Sequence, residues 1–353
     1  MGNEWVVVHW GALRGNLLTP FNTRYLMARR NNNKMTRMRK IEPSPLTFTF
    51  SMPASGTPSG SAYIDLSQCA SLVARRFYRQ GLNWGTAGFK VSASTPGTVT
   101  ISKVPNTWVA SAAWHKTFAL WNKQINDTLE EGGNESLRAR FSDFKVFADV
   151  AHRTAGFAGN LLPIDILNVA ANPGEWDASH IVLPQTAADG SGTLIEPTEF
   201  TLHMVGATTA ASKCMIQGYE DSRAFPQSPD PVGPSASSAN NWMSAMFDDG
   251  SANPQILDNA ENDNDELPYP QTDYPGTTGQ LPNLQWHDIA RVFSTSATTD
   301  IGITRLKGGN FPCGLIRIDW VESAGTMDVP LLIQIDMIPG NHRGYLAEPM
   351  QDM

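Results

Sequence analysis

Short runs that alternate apolar and polar residues recur from Leu46 to Met337, and they leave little room for anything but a β architecture. Leu46-Thr-Phe48-Thr-Phe50-Ser-Met52 repeats with period two. So do Phe200, Leu202 and Met204; Ile316, Ile318 and Trp320; and Leu331, Ile333, Ile335 and Met337. Successive side chains of an extended chain point to opposite faces, so each run predicts a strand with one buried face. Phe144, Val146, Ala148 and Val150 keep the same rhythm and predict another. Further strands are expected at Leu161–Val169, His180–Leu183, Cys214–Tyr219, Ile289–Ser294 and Asp300–Leu306. Phe89–Ser92 and Thr98–Val104 read as a hairpin across Ser94–Gly97, and Ala54–Ser61 reads as a Ser/Gly/Pro turn.

The period changes in two places. Cys69, Leu72, Val73 and Phe77 fall at helical spacing within Leu66–Arg79. Trp114, Phe118, Trp121 and Ile125 form a stripe within Trp108–Glu130, with Asn106 or Thr107 available as a cap and Gly132-Gly133 as a stop. A shorter helical stretch is expected at Ser136–Phe141. About ten strands on long connections, with no βαβ rhythm, predict an all-β fold with inserted helices, an antiparallel jelly-roll β-sandwich. At 353 residues and 41% hydrophobic content the chain can bury a substantial core.

Charge divides the chain. Residues 1–40 carry Arg14, Arg24, Arg29, Arg30, Lys34, Arg37, Arg39 and Lys40 against Glu4, whereas the whole chain has a net charge of −8. The segment Arg29–Lys40 holds too few apolar side chains to fold alone, so residues 1–44 are expected to form a basic arm on a body spanning 45–353. Guanidinium groups bind phosphates through planar, bidentate hydrogen bonds, and a basic arm gains affinity by releasing counterions. Arg24, Arg29, Arg30, Lys34, Arg37, Arg39 and Lys40 are therefore the candidate nucleic-acid-binding residues. Phosphate neutralisation does not distinguish DNA from RNA. A nuclear localisation signal or a solvated tail would have the same composition.

Residues 220–286 hold eleven acids against Arg223 alone and are rich in Pro, Ser and Asn, which predicts a long acidic surface insertion. Within it, Glu261-Asn-Asp263-Asn-Asp265-Glu266 alternates oxygen ligands like half of a calcium loop, without the central Gly or distant Glu of an EF-hand. Asp263, Asp265 and Glu266 are the candidate ligands for a Ca2+ held at subunit contacts, although a solvated acidic loop is the reading favoured for such a run.

Arg75-Arg76-Phe77-Tyr78-Arg79 interleaves arginines with aromatics, as single-strand binders do, but on a helix Phe77 would join the core. Phosphate-loop, dinucleotide, nucleophile-elbow and zinc-protease motifs are missing and the seven histidines are scattered, so no enzymatic activity is expected. Three cysteines without a C-x-x-C pair imply neither a disulfide framework nor a zinc site. The apolar run Trp5–Trp10 follows Glu4 rather than a basic region, which is not the pattern of a secretory signal, and no segment approaches the roughly 20 apolar residues of a membrane span.

The segments DLSQCASLVARRFYRQGLNW (Asp65–Trp84), TISKVPNTWVASAAWHKTFALWNKQ (Thr100–Gln124), NDNDELPYP (Asn262–Pro270) and LLIQIDMIPGNHRGY (Leu331–Tyr345) together resemble the capsid proteins of small circular Rep-encoding single-stranded DNA viruses. The resemblance covers about half the chain and lies in overall texture, not in a short motif. It implies a jelly-roll subunit that assembles with copies of itself into an icosahedral shell and packages single-stranded DNA on an inward basic arm. It also implies a place in the virion, with the host nucleus as a compartment of assembly. The alternative from another class is a jelly-roll glycan-binding module. One departure from the resemblance stands out: here an apolar segment, Trp5–Trp10, precedes the basic residues.

Overall fold

In the computed structural model, residues 43–53, 57, 59–138, 143–183, 198–222, 225–226, 231–232, 242–243, 283–293, 301–323 and 330–353 are described. Eight long strands build the body: β1 (Thr47–Met52), β2 (Ser59–Asp65), β3 (Leu82–Ala93) and β4 (Gly97–Lys103), then β10 (Gln285–Val292), β11 (Gly302–Phe311), β12 (Leu315–Glu322) and β13 (Leu331–Met337). One sheet runs β1-β13-β3-β11 and the other β10-β4-β12-β2, and every neighbouring pair is antiparallel. The chain is thus mostly β with inserted helices, as its alternation predicts.

Period two places the core. Phe48, Phe50 and Met52 of β1, Val91 of β3, Ile101 of β4, Ile318 and Trp320 of β12, and Ile333 and Ile335 of β13 point into one apolar cluster shared by both sheets. Trp84 and Trp320 are among its largest fully buried side chains. Strands distant in sequence meet here: Thr47 pairs with Asp336 and Met52 with Leu331.

The expected hairpin between β3 and β4 is not formed, since the two strands lie in different sheets. The corner at Thr95-Pro96 carries the chain from one sheet to the other. It is pinned by Thr95 Oγ1 donating to Glu322 Oε1 (2.6 Å) and by Ser323 N donating to Pro96 O (3.0 Å). Of the expected turn Ala54–Ser61, residues 59–61 are strand instead, because β2 starts at Ser59 and is ordered along β12, and most of the rest lies outside the described residues.

Between β4 and β10 the chain builds a second layer. Helix α2 (Trp108–Glu131) is capped by the Thr107 hydroxyl. It follows α1 (Leu66–Ala74) in the chain and precedes α3 (Val150–Ala155). The strands β5 (His180–Leu183), β6 (Thr198–His203) and β7 (Ser212–Cys214) form a small sheet, and α4 (Met215–Asp221) packs on α2. Pairs β8 (Phe225–Pro226) with β9 (Pro231–Val232) and β14 (Pro339–Gly340) with β15 (Gly344–Tyr345) are two residues long, and β16 (Ala347–Pro349) adds to β3. A second core joins α2, Phe144, Val146, β5, β6 and α4 to Tyr63, Val104 and Leu315 of the body.

Three further expectations are corrected. Cys214–Tyr219 is the end of β7 followed by α4, because Met215, Ile216 and Gly218 are buried at helical spacing. Leu161–Val169 forms no strand, only an isolated bridge between Ile164 and Ala170. Of Ser136–Phe141, the described part holds the 3-10 segment Glu135–Leu137 and not an α-helix, and residues 139–141 lie outside the described residues.

Close packing at the corner makes a prediction. A Cβ on Gly97 would stand 2.4 Å from Trp320 Cζ2 and 2.8 Å from the Val321 carbonyl, so backbone as well as side chain must move. Gly97→Ala is expected to destabilise the fold by about 1–3 kcal/mol, read as a lower urea midpoint with an unchanged m-value.

Candidate functional site

Two polar assemblies flank the start of β3. The first is buried. Asp65 ends β2 and caps α1: its Oδ1 accepts from Ser67 N (2.9 Å) and Gln68 N (3.3 Å), and its Oδ2 accepts from Gln80 Nε2 (3.0 Å) and Trp176 Nε1 (3.0 Å). Complete burial pushes its carboxyl up to about 6, against the four hydrogen bonds that favour the ionised form. The Gln80 amide also exchanges two bonds with Val146, donating to its O (2.9 Å) and accepting from its N (2.6 Å). A side chain thus takes the place of a neighbouring strand. That holds at Val146 only: Phe147 N donates to Leu202 O (2.9 Å) and Met204 N to Phe147 O (2.9 Å), an isolated bridge to the end of β6, so Phe144–Ala148 alternates and is buried on both sides without becoming a regular strand.

The network continues to His152. Asn160 Nδ2 donates to Gln68 Oε1 (3.0 Å). The His152 Nδ1 accepts from Ala148 N (3.1 Å), which leaves Nε2–H to donate to Asn160 Oδ1 (2.8 Å). The ring stacks on Tyr63 at 4.4 Å between centroids, and the Tyr63 hydroxyl donates to Asp149 (2.8 Å). Arg317 Nη1 reaches the same carboxylate (3.3 Å). Burial holds His152 neutral, lowering its pKa to about 4. Each group has a structural partner, and the assembly positions the inserted layer on the body.

The second assembly lies at the root of the basic segment. Ser44 Oγ donates to Arg343 O (2.8 Å), Tyr345 Oη to Pro45 O (2.8 Å) and Tyr78 Oη to Arg343 O (2.9 Å). Residues 43–45, which connect residues 1–42 to the body, are therefore fastened to the turn at His342-Arg343. Helix α1 ends earlier than its spacing predicts, at Ala74. Arg75 takes a left-handed conformation (φ 51°), and the chain turns so that Tyr78 is fully buried while Arg75, Arg76 and Arg79 are exposed. Phe77 packs beside Trp176 instead of joining the main core. Arg343 Nη1 donates to Phe77 O (2.6 Å). Burial lowers the pKa of His342, and the positive charges of Arg343 and Arg79 lower it further. Arg79 also lines a cavity of about 130 Å³ with Gly81, Trp114, Phe118, Phe144, Pro349 and Gln351. Trp114, Phe118 and Phe144 are mutually packed at 5.0–5.9 Å between centroids, so most of the α2 stripe is core and one edge opens beside Arg79.

Arg24, Arg29, Arg30, Lys34, Arg37, Arg39 and Lys40 lie outside the described residues, as do Asp263, Asp265 and Glu266 and most of the acidic insertion. Among the described residues no group of three or more His, Cys, Asp or Glu side chains is placed to hold a metal, and no helix is long and apolar enough to cross a membrane. Cys69, Cys214 and Cys313 are buried free thiols, and burial pushes their pKa values up. Arg343 was missed at the sequence level, since only folding brings it beside residues 75–79. No protein-family profile, no curated protein and no solved structure matches the chain.

The buried histidines predict a pH dependence. His152 and His203 are both lowered from 6.5 to about 4 by burial. Each stabilises the fold above about pH 6.5, and that contribution is lost as pH falls towards 4, with a slope of up to about 1.4 kcal/mol per pH unit. Asp65, raised to about 6, acts in the opposite direction between about pH 4 and 6. Urea titrations of wild type and His152→Gln at several pH values separate the two, and the variant is expected to lose stability less steeply below pH 6.5.

Proposed function

We propose that the chain is a viral coat subunit that assembles with copies of itself into a closed icosahedral shell and packages single-stranded DNA, and that it is no enzyme. The observation that carries this reading is the junction at residues 43–45. Residues 1–42, with six more basic than acidic residues, join the body beside Arg75, Arg76, Arg79 and Arg343, while the rest of the chain is strongly acidic. A polyanion held by the segment would find fixed guanidinium groups where the segment meets the body.

The strand order supports a jelly roll. Counted along the chain, the eight long strands run first-eighth-third-sixth in one sheet and fifth-fourth-seventh-second in the other. Two Greek keys folded over each other produce that order, and coat proteins and lectins both use it. The junction favours the coat reading over the glycan-binding one, because a glycan site needs no cationic segment.

Electron microscopy of the purified protein is expected to show uniform closed particles, and a monomer at every salt concentration and pH would refute the proposal. Deleting residues 24–40 is expected to lower the nuclease-protected nucleic acid in those particles while leaving the body folded. With a single-stranded oligonucleotide, Arg75→Ser combined with Arg79→Ser is expected to reduce the slope of log K against log salt by about 1.4, from two lost phosphate contacts. An unchanged slope would remove these arginines from the interface.

A further inference from the structure

Resting on the self-assembly reading, we infer that subunits join head to tail: the loop at 164–170 of one copy docks on the β10/β11 edge of the next. Both surfaces are apolar, and both are built to stay in place.

The loop displays Ile166, Leu167 and Val169 to solvent, with Ile166 fully exposed at 102%. It is rigidly made. Asp165 Oδ1 accepts from Leu167 N (2.8 Å) and Val169 N (2.9 Å), Asp165 N donates to Val169 O (3.0 Å), and Asn168 adopts φ 60°. Its base is tied to the open side of the sheets, with Ile164 N donating to Thr49 O of β1 (2.8 Å) and Leu161 N donating to Tyr63 O of β2 (2.8 Å). Three large aliphatic side chains held outward on a hydrogen-bonded loop are exposed at a cost that burial against a partner would offset.

The receiving surface is the opposite edge. β1 and β2 end their sheets on one side, while β11 and β10 end them on the other. Trp286, Ile289 and Phe293 on or just after β10, with Ile301 and Ile303 at β11, are exposed, Trp286 at 83%. A bulge at His287 interrupts pairing with β4 between Trp286 and Asp288. The two edges are locked together by His287 Nε2 on Lys307 O (3.0 Å) and by Lys307 N donating to Asp288 Oδ2 (2.8 Å). Bulges and side-chain bonds of this kind protect an edge from strand addition, yet they leave its apolar side chains uncovered.

Charge makes the two edges complementary. Residues 156–179 carry the exposed acids Asp165, Glu175 and Asp177 and no Lys or Arg. The β10/β11 edge carries the exposed bases Arg291, Arg305 and Lys307, with Asp288 engaged in the bonds above. The acidic, apolar side and the basic, apolar side face opposite ways, so they cannot meet within one chain. A second copy of this chain satisfies both at once, and repetition of such a heterologous contact closes rings where the rotation from copy to copy divides a full turn.

Two variants of the full chain test the contact by sedimentation velocity. The loop variant carries Ile166→Asp and Leu167→Asp, and the edge variant carries Trp286→Asp and Ile303→Asp. Wild type is expected to sediment as closed assemblies, and each variant alone as a monomer with association weakened at least about a hundredfold. Mixed one to one, the variants are expected to form a discrete dimer, since one intact loop and one intact edge remain. If both variants assemble like wild type, the contact is wrong and self-assembly stands; if wild type is itself monomeric, both fail. Monomers that ignore each other when mixed would overturn the pairing. A melting temperature lowered by more than about 5 °C in the edge variant would place one of the chain's own segments on that edge and overturn it too.

Discussion

Asp65 is a carboxylate with no exposed surface, and the rest of the molecule is arranged around satisfying it. Its four donors come from three places in the chain: the first turn of α1, Gln80 at the entrance to β3, and Trp176 in the layer inserted between β4 and β10. A buried carboxylate is tolerated only where its lone pairs are used, so the fold is committed to bringing those segments together. Gln80 passes the constraint on by pairing with Val146, and the Gln68–Asn160–His152 chain extends it to α3. The inserted layer is attached by polar bonds with fixed geometry as well as by the second apolar core.

That attachment gives the body an asymmetric surface. With the insertion fixed over the open sides of β1 and β2, the loop at 164–170 is presented at one edge while β10 and β11 remain at the other. The arginine group beside residues 43–45 is set in a third place, by Tyr78 and Tyr345 anchoring the turn at Arg343. On the proposed coat-subunit reading, these separate places would serve a polyanion and two neighbouring copies of the chain.

Much of the antiparallel β architecture was legible because its signal is local. Phe48, Phe50, Ile318, Trp320, Ile333 and Ile335 announce their buried faces by spacing alone, and Thr107 announces the start of α2 by its cap. The misreadings share a cause. Phe144–Ala148 alternates but is buried all round: the side chains of Gln80 and Ser179 bond its first half, and only Phe147 and Ala148 reach the backbone at the end of β6, as an isolated bridge. β2 was hidden because Ser59, Gly60 and Ser61 have weak strand preference and are ordered by β12. α1 stops at Ala74 although its spacing continues to Phe77, because burial of Tyr78 demands the left-handed turn at Arg75.

Residue order alone was enough for the antiparallel β character, the long helix and the separation of a basic beginning from an acidic remainder, since each depends on composition or on neighbours within a few positions. Pairing was not readable in this way. The partner of β1 is β13, nearly the whole body away along the chain, and β3 parts from β4 at a corner that looks like a hairpin. Hydrogen-bond partners so distant are chosen by which faces fit around one core. The arginines of residues 75–79 and 343 become a single surface by that same choice.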